Sequence, residues 1–259
     1  MENKDIMSGL AKGLATIETF TADSPRQSIA QVAAASGLDR ATARRCLLTL
    51  AHLGFADYDG KFFTLTPRIM RLGTACLATM PLPQIVQPLL DRLSDELGQS
   101  TSVSILDGDE IIYIARAAQR KVMSISLTPG SRLPAYCTSM GRVMLSALPH
   151  DQIDSMVLAD SAGLTDSTGL AARTPNTITD AAALLTELAQ VRDQGYAVID
   201  QEVELGLISI AVPIYDARGR VVAALNIGLS SHHADAGQLA ALYLDKLTAI
   251  QSELRKMLL

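Results

Sequence analysis

The chain contains 259 residues, of which 48% are hydrophobic and 19% are charged, and its formal net charge is -5. This composition excludes a disordered protein, a collagen-like protein and a coiled coil, and the length allows one large or two ordinary domains. Because no apolar run reaches the roughly 18 residues of a membrane span and residues 1–5 are polar, we expect a cytoplasmic protein without a membrane partner.

Three helices and a hairpin are predicted before residue 67. Apolar residues at spacings of three and four, with typical caps and stops, predict helices with the boundaries 8–20, Ser28 to Gly37 and Asp39 to Gly54. The third helix is expected to direct Leu53 inward. The pair Asp59-Gly60 between two short apolar segments predicts a β-hairpin. This order of elements predicts a winged helix-turn-helix domain over residues 1–66.

The polar side of the third helix predicts contact with DNA. Its first two turns carry Arg40, Thr42, Arg44 and Arg45. The N-terminal part of a recognition helix reaches base edges, where arginine can bond a guanine twice and Thr42 can contact a thymine or a phosphate. We also expect Lys61 in the hairpin and the backbone N–H groups at Ser28 to contact phosphates. Alternatively, the three arginines form a solvated helix face that binds nothing.

After Pro81 the hydrophobic pattern changes. Residues 85–97 predict a helix in which Pro88 is tolerable only in the first turn. Farther along, apolar residues alternate with polar ones such as Ser102 and Ser104, and this period of two predicts strands. Further helices are predicted over 139–147, 151–157, 180–194 and 234–258. The pattern predicts an α+β domain with helices packed on a mostly antiparallel sheet.

The sequence carries no pattern typical of an enzyme. A glycine-rich phosphate-binding loop is absent, and Cys-Thr-Ser-Met-Gly at residues 137–141 lacks the first glycine of a nucleophile elbow. Cys46, Cys76 and Cys137 have no metal-ligand spacing, and we expect all three to be buried thiols. The sequence therefore predicts no catalytic residue, no metal and no cofactor.

Three segments in the same order resemble the IclR-type bacterial transcriptional regulators. They are SIAQVAAASGLDRATARRCLLTLAHLGFADYDGKFFTLTPRIMRLG, then PGSRLPAYCTSMGRVML, and then GYAVIDQEVELGLISIAVPIYDARGRVVAALNIGL. The resemblance extends over nearly the whole chain. The part after residue 80 is most similar to the branch that controls protocatechuate and 4-hydroxybenzoate catabolism through the β-ketoadipate pathway.

The resemblance implies a DNA-binding regulator with a winged helix-turn-helix head, a linker helix over 67–80 and a GAF-like effector-binding and oligomerisation domain over 81–259. Implied partners are double-stranded operator DNA, a small carboxylic acid and a second copy of the chain, in a homodimer or homotetramer. The acid would be an aromatic acid or a β-ketoadipate-pathway metabolite. The implied effector contacts are Ile125, Ser139, Met140, Asp200, Ser209, Asn226 and Gly228. The glyoxylate-responsive branch has a cysteine and two serines at positions 209, 226 and 228, which implies a different acid here.

The residue types themselves suit such a pocket. A helix that begins near Ser139 directs unpaired N–H groups and its positive dipole end toward a carboxylate. Arg142 either reaches an anionic ligand or is solvated or paired, and Ser209 and Asn226 bond either a ligand or the backbone. The negative charge of Asp200 opposes an anionic effector. A small-molecule sensor that does not bind DNA is the alternative function.

Overall fold

A computed structural model describes residues 6–21, 23–73, 81–119, 127–149, 151–153 and 170–258. The chain divides into two compact units, Met1–Met80 and Pro81–Leu259. Among the described residues, no helix combines the length and the hydrophobicity that crossing a bilayer requires.

The N-terminal unit contains three helices and a small antiparallel sheet. The helices are α1 (Ser8–Glu18), α2 (Ile29–Ser36) and α3 (Arg40–His52), and the strands are β1 (Arg26–Gln27), β2 (Ala56–Tyr58) and β3 (Phe63–Leu65) in the order β1-β3-β2. Both helix starts are capped as the sequence predicts, because Ser28 forms a capping box with Gln31 and the Asp39 side chain accepts from the N–H of Thr42. Gly37 ends α2 at φ +67°.

The hairpin predicted at Asp59-Gly60 is present, with a loop of four residues. Tyr58 pairs with Phe63 across the strands, and the Asp59 carboxylate accepts from the backbone N–H groups of Lys61 and Phe62 at 3.0 and 2.8 Å. The loop is therefore held by its own aspartate in addition to the turn-forming glycine.

Three expectations for this unit need correction. Helix α1 ends at Glu18 and not at Phe20. Leu53 is exposed, because α3 ends one residue before it and the chain turns away from the core. Cys46 is only partly buried, whereas Cys137 is buried as predicted. Cys76 lies outside the described residues.

The linker prediction over 67–80 falls partly in the described chain. Pro67–Ile69 form a 3₁₀ turn, and residues 70–73 continue in helical conformation. Residues 74–80 lie outside the described residues, so the linker helix stays a prediction.

The C-terminal unit is built on a six-stranded antiparallel sheet. Its strands are β4 (Ser100–Asp107), β5 (Glu110–Ala117), β6 (Arg132–Pro134), β7 (Ala197–Asp200), β8 (Leu207–Tyr215) and β9 (Val221–Ser230). They lie in the order β6-β5-β4-β9-β8-β7, and every neighbouring pair is antiparallel. The α+β architecture predicted from the alternating pattern is therefore confirmed.

Helices cover both faces of this sheet. The helices are α4 (Pro81–Leu97), α5 (Ser139–Ser146), α6 (Ala181–Gln194) and α7 (Leu239–Met257). Helices α4 and α7 bury one face against apolar side chains such as Val103, Ile210 and Ile227. Helices α5 and α6 pack on the opposite face, where the strands contribute Tyr113 and Ala211. The sheet is consequently buried on both sides, and its polar residues on the second face are enclosed as well.

Helix α4 contradicts the expectation for its proline. The helix already begins at Pro81, so Pro88 lies in its interior and cannot donate a hydrogen bond to the preceding turn. An interior proline costs about 3 kcal/mol relative to alanine. The apolar face of α4, which includes the buried Val86, Leu90 and Leu93, offsets this cost by packing on the sheet.

The other predicted helices are present with small shifts. Helix α5 ends at Ser146, Asp180 caps α6 by accepting from the N–H of Ala183 at 2.7 Å, and a short 3₁₀ turn precedes α7. Of the helix predicted over 151–157, residues 151–153 are helical and residues 154–157 lie outside the described residues.

Candidate functional site

The exposed side of α3 carries three arginines. Arg40, Arg44 and Arg45 are all exposed, whereas Ala43 and Leu47 on the opposite side are completely buried. None of the three forms an ion pair with a residue in the described part of the chain. Their charges are therefore available to an external anion such as a DNA phosphate.

Thr42 is more constrained than the sequence suggested. Its hydroxyl donates to Oδ2 of Asp39 at 2.7 Å, and its backbone N–H donates to Oδ1 at 2.9 Å. These two bonds hold the pKa of the Asp39 carboxyl below its usual value. Because the hydroxyl proton is already used in the helix cap, the methyl group and the hydroxyl lone pairs of Thr42 remain for an external contact.

Ser28 and Lys61 differ in how much of their hydrogen-bonding capacity is free for an external ligand. The N–H and the hydroxyl of Ser28 both donate to Oε1 of Gln31 at 2.9 Å, which leaves only the next backbone N–H groups of α2 for a ligand. Lys61 is exposed, with its ammonium 5.1 Å from the centre of the Phe62 ring. Arg26 stacks on the same ring at 4.3 Å. The hairpin tip therefore holds two cations beside one aromatic ring.

Asp59 neutralises part of that charge. Its carboxylate accepts from Arg26 at 2.5 Å, and this bond, together with the backbone donors of the loop, holds the pKa of the Asp59 carboxyl far below its usual value. Arg26 was not identified from the sequence, because it is brought to the hairpin only by the pairing of β1 with β3.

A small cavity with a volume of about 30 Å³ lies between the sheet and the start of α5. Five of the residues that the family resemblance implied as effector contacts line it, namely Ser139, Met140, Ser209, Asn226 and Gly228. Asp200 does not line it, because its side chain is exposed at the end of β7 and accepts from Gln201. Ile125 lies outside the described residues.

The sheet face toward the cavity is unusually polar. Ser102 of β4 pairs in register with Arg116 of β5 on one side and with Asn226 of β9 on the other. Ser100, one pleat along β4, pairs with Gly228. Side chains two residues apart on a strand share a face, so these residues form a polar patch opposite α5.

Arg116 was missed by the sequence reasoning, although it lines the cavity. Its Nη1 donates to Oγ of Ser102 at 2.9 Å, while its Nε is buried without a partner among the described residues. No ion pair joins it to a carboxylate of the described residues, and burial lowers the pKa of its guanidinium. A partly buried cation without a counter-ion is a strong candidate for binding an anion.

Two further polar groups occupy the cavity wall. The hydroxyls of Ser139 and Ser209 bond each other at 2.8 Å. Oδ1 of Asn226 is buried and has no hydrogen-bond partner in the part of the chain that the structure describes. Tyr113 lies nearby, and burial raises the pKa of its phenol to about 12, so it is a neutral hydrogen-bonding group at pH 7.

Arg142 is paired and does not face the cavity as a free cation. Its Nη2 donates to Glu202 at 2.5 Å, its Nη1 contacts Glu187 at 3.5 Å, and its Nε donates to the carbonyl of Tyr136 at 2.9 Å. Burial raises the pKa of the Glu202 carboxyl although Arg142 opposes the shift. Of the two possibilities left open by the sequence, the structure selects the paired arginine.

The described residues contain no cluster of three or more histidine, cysteine or acidic side chains able to hold a metal ion. The polar groups that do converge in the C-terminal unit are donors and acceptors around a cavity. Their arrangement suits binding of a small molecule.

Two family descriptions match the chain. The IclR helix-turn-helix domain matches residues 9–60, and the C-terminal domain of the bacterial transcriptional regulator IclR matches residues 74–253.

Relatives of known role are similar over almost the full length. The chain is 43% identical to the Pca regulon regulatory protein of Pseudomonas putida over 251 residues, which cover 96% of this chain and 84% of that protein. It is 36% identical to the p-hydroxybenzoate hydroxylase transcriptional activator of Acinetobacter baylyi over 263 residues, which cover 99% and 94%.

Solved structures agree with these matches. A transcriptional regulator from Rhodococcus sp. RHA1 has a TM-score of 0.76 at 40% identity, with 98% of both chains covered. The inducer-binding domain of PobR from Acinetobacter, a double mutant in complex with 3-hydroxybenzoic acid, has a TM-score of 0.59 at 32% identity. That match covers 67% of this chain and 97% of the PobR domain.

Proposed function

Since the chain belongs to the IclR family of bacterial transcriptional regulators, we propose that it binds an aromatic carboxylic acid in its C-terminal cavity and thereby changes its affinity for operator DNA. The resemblance inferred from three sequence segments is confirmed, and with it the function as a transcriptional regulator. The chain is a regulator and not an enzyme. The alternative of a sensor without DNA binding is disfavoured, because a helix-turn-helix family model matches residues 9–60.

One observation carries the ligand assignment: the cavity contains an arginine, Arg116, that no described carboxylate neutralises. A partly buried cation without a counter-ion is costly in the free protein, and an anionic ligand reduces that cost on binding. The paired Arg142 offers no such gain. A carboxylate is therefore the ligand group that the cavity suits best.

The rest of the lining suits an aromatic ring. Apolar side chains of Leu133, Met140, Val203 and Leu207 face the cavity together with the ring of Tyr113. The cavity is narrow, so the lining side chains must move apart to admit a ring. The names of the relatives also indicate an aromatic acid. One relative is the p-hydroxybenzoate hydroxylase transcriptional activator, and the PobR domain is in complex with 3-hydroxybenzoic acid. Acids of the β-ketoadipate pathway are the other candidates.

The DNA contacts are proposed on the exposed cations of the N-terminal unit. Arg40, Arg44 and Arg45 on α3 would enter the major groove with Thr42, while Lys61 and the start of α2 after Ser28 would contact phosphates. Their exposure and the absence of ion pairs to described residues support this assignment.

Assembly and location follow from the same proposal. Two heads, joined by the linker over 67–80, would read two half-sites in a homodimer or homotetramer. The acid bound in the domain over 81–259 would shift the equilibrium between two arrangements of the heads. The domain boundaries, the GAF-like description and the cytoplasmic location belong to this proposal too.

Calorimetric titration of the full chain with 4-hydroxybenzoate, protocatechuate, β-ketoadipate and pyruvate tests the ligand class. We expect saturable binding of at least one of the first three acids and loss of that binding in Arg116→Met. Arg218→Ala, which changes an exposed arginine outside the cavity, is the matched control. Absence of binding for every acid would falsify the ligand assignment.

Gel shifts at several salt concentrations test the DNA surface, with a DNA fragment selected by the protein from a random-sequence library. Each phosphate contact adds about -0.9 to the slope of log affinity against log salt. We expect a clearly negative slope for the wild type and for Arg218→Ala, and loss of specific binding in Arg44→Ala. A slope near zero would exclude phosphate contacts.

A further inference from the structure

One part of the cavity wall is a loop. Val203, which lines the cavity, lies in the connection between β7 and β8, over residues 201–206, whereas most other lining residues lie on strands or on α5. The volume of about 30 Å³ is far below the roughly 300 Å³ at which small-molecule sites begin. A ligand therefore enters only if part of the wall moves, and the loop can move without breaking a strand ladder or a helix.

The loop has an unusual backbone conformation at both ends. Gln201 has φ +58° and Gly206 has φ +86°, and Gln201 is the only non-glycine residue with positive φ in the described part of the chain. This left-handed conformation is costly for a residue with a Cβ. The N–H of Gln201 donates to the carbonyl of Leu207, and the N–H of Gly206 donates to Oε1 of Gln201, both at 2.9 Å. The base of the loop is thus closed on itself, so residues 202–205 can move as one unit.

Polar bonds fasten the loop to the neighbouring segment of chain. The hydroxyl of Thr174 donates to the carbonyl of Gln201 at 2.7 Å. The hydroxyl of Thr177 donates to the carbonyl of Glu202, also at 2.7 Å. When the loop lifts, water replaces both partners of each bond, so the net contribution of each bond to closure is small. Closure therefore depends on a few bonds that water can replace, together with the burial of Val203.

The strongest of these fastenings is an ion pair. Oε2 of Glu202 accepts from Nη2 of Arg142 at 2.5 Å and from the backbone N–H of Ile178 at 3.1 Å. Nη1 of Arg142 also contacts Glu187 of α6 at 3.5 Å. Lifting the loop moves Glu202 into water and leaves Glu187 as the counter-ion of Arg142. Because neither charge is left buried alone, this opening avoids the large penalty of removing one partner of a buried ion pair.

We propose that the loop over residues 201–206 is a gate to the cavity, and that Glu202 is the positioning residue that latches the gate to Arg142. The inference rests on the proposed function, because a gate serves a cavity that takes up a ligand, but the opening itself is measured without a ligand. Arg142 lies within one helical turn of Ser139 and Met140, which line the cavity. The latch thus joins the gate to the helix whose first residues line the cavity.

Alkylation of a cysteine placed on the gate measures its opening. In the full chain, Val203→Cys should react with iodoacetamide at pH 8, and mass spectrometry of the peptides distinguishes it from the native cysteines. The matched control is Val103→Cys, at a completely buried site on the opposite face of the sheet. We expect Val203→Cys to react at least about tenfold faster, because a local opening is more populated than unfolding of the whole unit. Low urea concentrations should accelerate only the control.

Two matched pairs of substitutions, each combined with Val203→Cys, test the latch. Glu202→Gln should speed the reaction by about 10- to 100-fold, the range for a hydrogen bond to a charged group. Glu187→Gln should not speed it, because that carboxylate stays with the arginine in the open state. A merely structural role of the ion pairs predicts the same acceleration for both. Thr177→Val should speed the reaction by about 2- to 10-fold, and Thr186→Val, at an exposed position of α6, should leave the rate unchanged.

Bound ligand should hold the gate closed. Of 4-hydroxybenzoate, protocatechuate and β-ketoadipate, the acid that binds in the calorimetric titration should slow the reaction of Val203→Cys. At 100 times its dissociation constant, we expect a reduction of about 100-fold, because only the closed state holds the acid.

The outcomes separate this inference from the proposed function. Equal rates for Val203→Cys and Val103→Cys, or equal acceleration by Glu187→Gln and Glu202→Gln, overturn the inference, as does an acid that binds without slowing the reaction. If Glu202→Gln does not fold, the comparison of Thr177→Val with its control decides in its place. If no acid binds, the proposed function fails, whereas the rates measured without ligand still decide whether the gate opens.

Discussion

Arg142 and Arg116 of the C-terminal unit should respond differently to replacement by methionine. Arg142 is 1% exposed and its guanidinium is paired with Glu202. Arg142→Met leaves that carboxylate buried without its counter-ion, which costs about 3–5 kcal/mol. Because 1 kcal/mol shifts the midpoint of a domain of this size by about 2–4 °C, we expect the melting temperature to fall by roughly 6–20 °C.

Arg116→Met should change stability far less. The substitution removes a buried, unpaired donor, which favours the folded state by about 1–3 kcal/mol, and loses the bond to Ser102, which opposes it by a similar amount. The two effects nearly cancel, so the melting temperature should stay within about 4 °C of the wild type. This near-neutral result is characteristic of a charge kept for a ligand, whereas Arg142 stabilises the fold itself.

Differential scanning calorimetry with and without ligand separates these cases. At a ligand concentration 100 times the dissociation constant, binding adds about 2.7 kcal/mol, which raises the wild-type midpoint by about 5–11 °C. Arg116→Met should lose this rise. The double variant Arg142→Met/Glu202→Leu removes both charges and should recover part of the stability lost in Arg142→Met. Arg116→Met melting as low as Arg142→Met, or keeping the ligand-induced rise, would refute the reasoning.

Two further predictions concern the C-terminal unit. Gly141→Ala should destabilise it by about 3 kcal/mol in urea titrations, because the new Cβ would overlap the backbone of Ala135, whereas Gly13→Ala, with open space around it, should be neutral or stabilising. Cys137 should resist iodoacetamide at pH 8 in the native protein, because burial raises the pKa of its thiol to about 11, while the partly exposed Cys46 reacts. Mass spectrometry of the peptides locates the label, and equal labelling of both cysteines would contradict the assignment.

The sequence determined the elements whose signals are local. The caps at Ser28 and Asp39, the stop at Gly37 and the turn at Asp59-Gly60 each act within four residues of chain, so the N-terminal unit could be predicted almost element by element. Alternating polarity likewise identified β4, at Ser102 to Ile105, and predicted that the sheet is mostly antiparallel. Family resemblance then supplied five of the residues that line the cavity, but not their chemistry.

The tertiary structure alone decided which polar side chains meet. The alternation of polar and apolar residues around Ser102 would be the same if the polar face of β4 met water or a cavity. Only the packing of α5 on the sheet encloses the Ser102 side chain. Arg116 and Asn226 are 110 positions apart in the chain and become neighbours of one serine through the register of β5 and β9 with β4. Arg142 stabilises the fold because the tertiary structure places Glu202, 60 residues away in the chain, beside its guanidinium. Strand register and helix packing are long-range consequences of burying apolar surface. The local sequence pattern of one strand does not determine which distant strand will pair with that strand.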